Sequence, residues 1–184
     1  MKTDMKDNKP SSREIDRCIN RIAEGDETAL EQLYDLTSSA VFAYALSLTR
    51  NRFDAEDVMH DCFVKVYESA AQYKSHGKPM AWMLTIAKNM CYQRFNQSKR
   101  FADVKDEDIE RMFGDNTSVN ADDRMTLKAC LSQLTAVERQ IIVMHAVGGM
   151  KHREIADMLG IPLSTTLSKY NRALDKLKNM IGAN

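Results

Sequence analysis

The sequence has few of the residues that interrupt helices and lacks the patterns typical of β-structure. Among its 184 residues there are only seven glycines and three prolines, and turn pairs such as Asn-Gly are absent. Apolar residues recur three and four positions apart instead of alternating, which is the period of an amphipathic α-helix. We therefore predict an all-α fold.

Paired cysteines are also missing. The four cysteines (Cys18, Cys62, Cys91 and Cys130) lie far apart, without a CxxC pair and without a histidine at ligand spacing. A disulfide framework is typical of small secreted chains, and a structural zinc site needs clustered ligands. We predict ordinary thiols in a reducing cytoplasm, with no metal site and no cofactor.

No stretch of the chain has the length or apolar character of a membrane segment. Residues 1–13 are polar and charged and lack the apolar centre of a signal peptide. No run approaches the roughly 20 apolar residues that span a bilayer. We expect a cytoplasmic protein that does not insert into membranes.

Net charge of one sign is absent as well, because 26 Lys and Arg balance 26 Asp and Glu. Binding to a polyanion would therefore depend on local basic patches. The four histidines are not joined by carboxylates or nucleophiles at useful spacing, and there is no glycine-rich phosphate loop. We predict that the protein is not an enzyme and has no catalytic residues.

An acid-rich segment divides the chain into two parts. In residues 103–123 acidic side chains far outnumber the basic Lys105 and Arg111, and the apolar period weakens. This composition is typical of a linker. We predict a tail with a lead-in helix (1–25), a first helical domain (26–100), an acidic linker (101–123) and a second helical domain (124–184).

The second domain contains the spacing of a helix-turn-helix. Ala156 is small where two helices must approach closely, and Gly160 can adopt the left-handed conformation that ends the first of them. The helix after Pro162 can enter a DNA major groove, where its side chains meet base edges and phosphates. We predict that its polar face carries the contacts with duplex DNA: Thr165, Ser168, Lys169 and Arg172.

The first domain contains a stretch without acidic residues, between Glu68 and Asp103. Its cations suit phosphates, and its aromatic rings offer stacking surfaces to unpaired bases, worth about 1–3 kcal/mol per base. Trp82 shares a helical face with Ile86 and is predicted to be core. The basic residues are Lys74, Lys78, Lys88, Arg94, Lys99 and Arg100, interleaved with Tyr73, Trp82, Tyr92 and Phe95.

Upstream of this stretch, a helix is predicted to open at Asp54, which can cap its first N–H groups. Asp57 and Asp61 lie four residues apart on one face, beyond what a cap requires. Such a pair of carboxylates suits a positively charged protein partner.

Together these segments resemble the extracytoplasmic-function class of bacterial sigma factors, over about residues 26–100 and 124–180. Residues 54–63 are similar to the polymerase-clamp-binding helix of the family, and residues 78–89 to its promoter-melting segment. Leu134-Thr-x-x-Glu138 followed by residues 154–162 resembles its fourth conserved region. Each motif is moderately specific, and their occurrence in this order is strongly specific.

The resemblance implies a protein that binds core RNA polymerase and brings it to promoter DNA. Its partners would be the clamp of the β-prime subunit, the flap of the β subunit and promoter DNA, with an anti-sigma factor as a further candidate. The implied polymerase-binding residues are Asp54, Asp57, His60 and Asp61. The implied contacts with the minus-ten element are Lys78, Lys88, Asn89, Tyr92, Gln93, Arg94, Lys99 and Arg100. The implied contacts with the minus-thirty-five element are Thr165, Ser168, Lys169 and Arg172.

The chain departs from the family pattern in the DNA-reading helix. Where the family usually has Gly-Thr-Val followed by a base-reading cation, this chain has Ser164, Thr165, Thr166 and Leu167. The hydroxyl of Thr166 needs a hydrogen-bond partner where valine would pack. Leu167 removes a cation whose bidentate contact with a base is worth roughly 1–3 kcal/mol.

Two other kinds of binding protein remain open from the sequence. Residues 134–177 are also similar to LuxR-type regulator domains, which bind operators unaided; such a regulator would carry a ligand-binding or phospho-acceptor fold with strands. The second is a polymerase-binding adaptor with weak DNA contacts, which Leu167 would favour.

Overall fold

In a computed structural model of the protein, the described residues are 11–101 and 133–181, and side chains are described for 11–96 and 133–180. The predicted all-α fold is confirmed, and within these ranges the chain forms seven α-helices and one short 3-10 turn. The α-helices are α1 (Ser12–Ala23), α2 (Glu27–Thr49), α3 (Arg52–Ser69), α4 (Pro79–Phe101), α5 (Ala136–Ala146), α6 (His152–Leu159) and α7 (Leu163–Ile181).

The first helix contributes to the core of the first domain. Ser11 caps α1 by accepting a hydrogen bond from the main-chain N–H of Glu14 at 3.2 Å, and the Glu14 carboxylate accepts one from the main-chain N–H of Ser11 at 2.8 Å. Its buried face is formed by Ile15, Cys18, Ile19 and Ile22. The lead-in helix predicted for residues 1–25 is therefore packed against the rest of the domain.

The prediction that Asp54 caps the next helix was wrong. The N-cap of α3 is Asn51, whose side-chain oxygen accepts hydrogen bonds from the main-chain N–H groups of Phe53 (2.9 Å) and Asp54 (3.2 Å). Asparagine is as good a cap as aspartate. Asp54 lies in the first turn of α3, where a carboxylate suits the positive end of the helix dipole.

The acid-free stretch folds largely as α4, which begins at Pro79 as predicted. Leu84 and Cys91 are among the α4 side chains that are fully buried. Trp82 is half-buried and packs against the core, with its ring centroid 4.6 Å from that of Tyr73. The opposite side of α4 is thereby left at the surface.

The second domain folds into the predicted helix-turn-helix. Thr135 and Glu138 form the predicted capping box of α5. The carboxylate of Glu138 is nearly buried and accepts a hydrogen bond from Lys176 Nζ at 2.8 Å, which links α5 to α7. Gly160 ends α6 in the left-handed conformation, with φ 66° and ψ 33°, a conformation that glycine adopts without a steric penalty.

The two domains pack against each other, with α5 against α2 and α6 against α4. Ile141, Met144 and Ile155 of the second domain join the same buried cluster as the core of the first. Arg139 adds a polar contact, because its Nη1 donates to the main-chain carbonyl of Ser47 at 3.3 Å. In this structure a shared apolar interface therefore holds the two domains together.

The three cysteines within the described ranges are free and buried. Burial raises the pKa of the Cys62 thiol to about 12 and that of Cys91 to about 11. These thiols are protonated at neutral pH, which agrees with the prediction of ordinary structural cysteines. Cys130 lies outside the described residues. Within residues 11–101 and 133–181, no helix has the length and apolar character needed to cross a membrane.

Candidate nucleic-acid interface

The exposed side of α4 carries three of the predicted minus-ten contacts. Asn89, Tyr92 and Gln93 are all exposed, and Tyr92 leaves 50% of its surface accessible. Phe95, which the list of candidate contacts omitted, is 38% exposed on the same helix. Two accessible rings beside two amides form a surface on which unpaired bases can stack and hydrogen-bond.

Arg94 connects this surface to α3. Its Nη1 lies 3.0 Å from Asp57 Oδ2 and its Nη2 lies 2.8 Å from Asp61 Oδ2. Partial burial by itself would lower the pKa of Arg94, but the hydrogen bonds that Arg94 donates to Asp61 and Asp57 outweigh it and raise the pKa. One guanidinium thus holds two of the three predicted polymerase-binding carboxylates, one through each Nη atom, whereas lysine would offer a single ammonium group.

Lys78 and Lys88 face the second domain. Lys88 Nζ donates to the main-chain carbonyl of Met158, near the end of α6, at 3.2 Å. Lys78 Nζ lies 3.1 Å from Asp157 Oδ2, and both side chains of this pair are largely exposed. The two lysines therefore make contacts between domains, which the sequence did not predict.

The last two predicted minus-ten residues, Lys99 and Arg100, belong to the backbone of α4, but their side chains lie outside the described part of the chain. The acidic linker predicted for residues 101–123 also lies outside the described residues, apart from its first position.

The exposed face of α3 is more apolar than the sequence analysis indicated. Asp57, His60 and Asp61 are exposed and Asp54 is half-buried. Three large apolar side chains on the same helix are also exposed: Phe53 (58%), Val64 (59%) and Tyr67 (49%). Their positions lie outside the stripe of buried α3 residues, which recur at three-and-four spacing. Their place outside that stripe could have predicted their exposure from the sequence. The result is one helix face that combines apolar and acidic groups.

In α7, Ser168 and Arg172 are exposed, whereas Thr165 and Lys169 are half-buried. Thr166 is fully buried, and its hydroxyl donates to the main-chain carbonyl of Pro162 at 3.2 Å. The partner that this hydroxyl requires is thus supplied by the preceding turn of the chain.

Leu167 and Asn171 also lie on the exposed face of α7. Leu167 leaves 40% of its surface accessible, and Asn171 is exposed one turn further on. Asn171 was missed in the sequence analysis. The sequence does not distinguish a functional asparagine on the surface of a helix from any other polar residue there. Helical periodicity identifies the buried apolar residues and does not indicate which exposed polar residues bind a ligand.

Three rings hold the helices of the second domain together. The ring centroids of His145 and His152 are 4.3 Å apart, and the Tyr170 ring lies edge-on to both, at 5.0 and 4.6 Å. His145 Nδ1 is 2.9 Å from the main-chain carbonyl of Met150, so it acts as the donor. Burial, with His145 as a smaller cause, lowers the pKa of His152. This cluster helps to position α7 against α5 and α6.

Two family models match the chain. Residues 33–101 match the one described as "Sigma-70 region 2", and residues 124–177 match "Sigma-70, region 4". The first covers α3, α4 and most of α2, and the second covers the helix-turn-helix. A region 2 domain is not the ligand-binding or phospho-acceptor domain of a LuxR-type regulator, so that alternative is not favoured.

Curated relatives and solved structures agree with these matches. The ECF RNA polymerase sigma factor SigK of Mycobacterium tuberculosis is 28% identical over 178 residues, covering 92% of this chain and 95% of the relative. SigK of Mycobacterium ulcerans is 26% identical, covering 94% and 96%. The sigma factor RpoE of Bartonella quintana, solved with the anti-sigma factor NepR, has a TM-score of 0.68 at 25% identity, covering 84% of this chain and 97% of that one. CnrH, solved with the cytosolic domain of CnrY, shares the fold, with a TM-score of 0.64 at 22% identity and coverage of 93% and 99%.

Proposed function

The chain belongs to the extracytoplasmic-function sigma factors, which direct RNA polymerase to promoters, and from this premise we propose how its surfaces divide that work. The first domain binds polymerase through α3 and the separated minus-ten strand through α4. The second domain binds the minus-thirty-five duplex through α7 and the flap of the β subunit. The protein acts in the cytoplasm, where polymerase and promoter DNA are found.

The proposed polymerase contact is the exposed face of α3. Its carboxylates Asp57 and Asp61 suit a basic partner, and Phe53, Val64 and Tyr67 supply apolar area that can be buried on binding. Aromatic anchors typically dominate the energy of an interface, while charges favour specificity and association rate. We assign the clamp of the β-prime subunit as the partner of this face, with His60 at its centre.

The proposed strand contact is the exposed side of α4, with Asn89, Tyr92, Gln93 and Arg94. Lys78, Lys88, Lys99 and Arg100 are proposed to contact phosphates. Single-stranded sites commonly combine a positive surface with rings on which bases stack, and the exposure of Tyr92 and Phe95 supports this assignment. Because Lys88 and Lys78 contact α6 in this structure, their proposed contact with phosphates requires that α6 separates from α4 when the protein binds polymerase.

One observation carries the proposal: Arg94 pairs with both Asp57 and Asp61. The pairing supports a common surface in which polymerase binding by α3 and strand capture by α4 influence each other, since both depend on the same three charges. Either partner would change the pairing of Arg94 as it binds.

We also propose that an anti-sigma factor binds this chain, because RpoE of Bartonella quintana, which has the same fold, was solved in complex with the anti-sigma factor NepR. The acidic linker is proposed to occupy the RNA-exit path of polymerase. Its carboxylates would bind a basic surface there that later binds RNA phosphates. Neutralising Asp103, Asp106, Glu107 and Asp108 should change initiation yield or promoter escape, and an unchanged yield would remove this role.

The function is tested by run-off transcription with core polymerase on a promoter library, with and without the protein. We expect defined start sites only when the protein is present, and co-elution of the protein with the core subunits. A protein that neither co-elutes nor changes initiation would overturn the proposal. DNA binding by the protein alone, without a requirement for polymerase, would instead indicate an independent regulator.

A further inference from the structure

The exposed face of α7 is nearly neutral where it begins and basic only further along. The side chains exposed in the first half of the helix are those of Ser164, Leu167, Ser168 and Asn171, and the exposed Arg172 follows them. In a helix-turn-helix the first residues of the recognition helix meet base edges. The exposed groups that can read bases in this part of the helix are therefore an aliphatic side chain, an amide and two hydroxyls.

Leu167 is not part of the core of the second domain. The core-facing stripe of α7 is formed by Thr166, Tyr170 and Ala173, with Leu174 and Leu177 packed against the smaller cluster around Leu134. Leu167 lies beside this stripe and leaves 40% of its surface accessible. The accessible part of this leucine is apolar surface that a ligand can cover.

Asn171 is the neighbour of Leu167 on the helix surface. Residues four apart lie on the same face, with about 5–6 Å between their Cβ atoms. The two side chains can therefore reach one base pair or two successive ones. Arg172 and the half-buried Lys169 lie beyond them, in positions that suit phosphates at the groove edge.

The chemistry of this pair matches an A·T base pair in the major groove. Adenine presents N7 as an acceptor and N6 as a donor, which an asparagine amide satisfies with two hydrogen bonds, and thymine presents its C5-methyl to apolar side chains. Guanine and cytosine offer neither combination. A cation at position 167 would instead favour the two acceptors of guanine.

We propose that Leu167 and Asn171 read A·T base pairs in the minus-thirty-five element, Leu167 by contact with a thymine methyl and Asn171 by hydrogen bonds to adenine N6 and N7. The inference rests on the proposed function of α7 in the duplex major groove. It goes further by naming the base and the atoms that are read.

The test uses the full chain with core polymerase and a duplex selected from a library randomised upstream of the minus-ten element. Each thymine of the selected element is then replaced by uracil, which removes only the methyl group, and each adenine by 7-deaza-adenine, which removes N7. We expect uracil at one position to weaken wild-type binding about fourfold, the effect of one buried methyl group. Leu167→Ala should bind thymine and uracil duplexes equally.

The matched control is Val147→Ala, which truncates an aliphatic side chain of the same exposure, 40%, in the turn between α5 and α6. This variant should keep the wild-type preference for thymine. Asn171→Ala should lose sensitivity to 7-deaza-adenine and keep sensitivity to uracil. In a repeated selection, Leu167→Arg should shift one position from A·T towards G·C.

The outcomes separate this inference from the proposed function. If polymerase initiates with the protein but wild-type binding is indifferent to uracil and to 7-deaza-adenine, the base-reading assignment is overturned and the sigma function stands. If Leu167→Ala still distinguishes thymine from uracil, another residue reads the methyl group and the assignment of Leu167 fails. If no library supports initiation, the proposed function fails and this inference fails with it.

Discussion

The guanidinium of Arg94 lies 2.8 Å from the carboxylate of Asp61, and this pair joins α4 to α3 across the surface of the first domain. Arg94 is assigned to the promoter strand and Asp61 to polymerase. The two proposed functions of the domain therefore share an ion pair. Because both side chains are partly exposed, the pair itself contributes little to stability, and its removal should be visible in function.

Replacing Arg94 by alanine should reduce open-complex formation more than binding to core polymerase. The substitution removes the guanidinium, a planar cation that can contact phosphates of the promoter strand or stack on its bases. The carboxylates of α3 are unchanged. We expect about a tenfold loss in the fraction of open complexes. Permanganate reactivity of unpaired thymines measures opening, and co-elution measures polymerase binding. An equal loss in both would contradict the assignment of α4.

Charge reversal on α3 should have the opposite pattern. In Asp57→Lys and Asp61→Lys a positive charge replaces the carboxylate that suits a basic partner, so association with core polymerase should fail first, by about tenfold or more. Competition against a labelled sigma factor for core enzyme measures this effect. Glu31→Lys changes an exposed acid on α2 and serves as the control. Comparable loss in the control would show an effect of net charge alone.

The shared core predicts that the two domains unfold together. Ile141 of α5 is fully buried in the cluster that spans both domains, so Ile141→Ala should lower the free energy of unfolding by about 2–5 kcal/mol. The only tryptophan, Trp82, lies in the first domain. Its fluorescence in a urea titration should nevertheless report the loss caused in the second domain. The exposed Val147→Ala should change the midpoint little.

If the Trp82 transition is unchanged by Ile141→Ala while circular dichroism shows a separate, weaker transition, the domains are independent and the observed packing is contradicted. A single shifted transition in both signals supports the shared core.

Stability should fall as pH drops below the ordinary pKa of histidine, because burial keeps the pKa of His152 below its usual value. The unfolded chain takes up a proton near pH 6.5 and the folded chain only at lower pH, so the contribution is present above pH 6.5 and is lost below it. Chemical denaturation at pH 7.5, 6.5 and 5.5 measures this dependence. His152→Gln should make the pH dependence of the free energy of unfolding less steep. An unchanged slope in this variant would show that other groups cause the dependence.

Local rules account for the parts of the fold that were predicted correctly. The capping box of Thr135 and Glu138, the left-handed Gly160 and the start of α4 at Pro79 each depend on residues within one or two turns. The cap of α3 was misassigned because Asn51 and Asp54 are both good caps, and local sequence does not rank them.

The candidate site was predicted in part. Asp57, Asp61 and Arg94 were predicted to be functional residues, but their contacts join positions more than 30 residues apart, and helical periodicity does not predict such pairs. The exposure of Phe53, Val64 and Tyr67 likewise depends on which face of α3 the other helices cover. Whether these residues bind polymerase and promoter remains a prediction.

By itself, the sequence determined that this protein is helical, that it carries a helix-turn-helix, and that a stretch without acids lies beside an acidic helix face, because helix period, capping and charge are local properties of the chain. Only the tertiary structure decided that Arg94 pairs with Asp57 and Asp61, that Lys88 reaches the end of α6, and that the two domains share a core. Those relationships arise when separate helices bury their apolar faces together, and burial brings distant residues into contact in a way that their order along the chain does not specify.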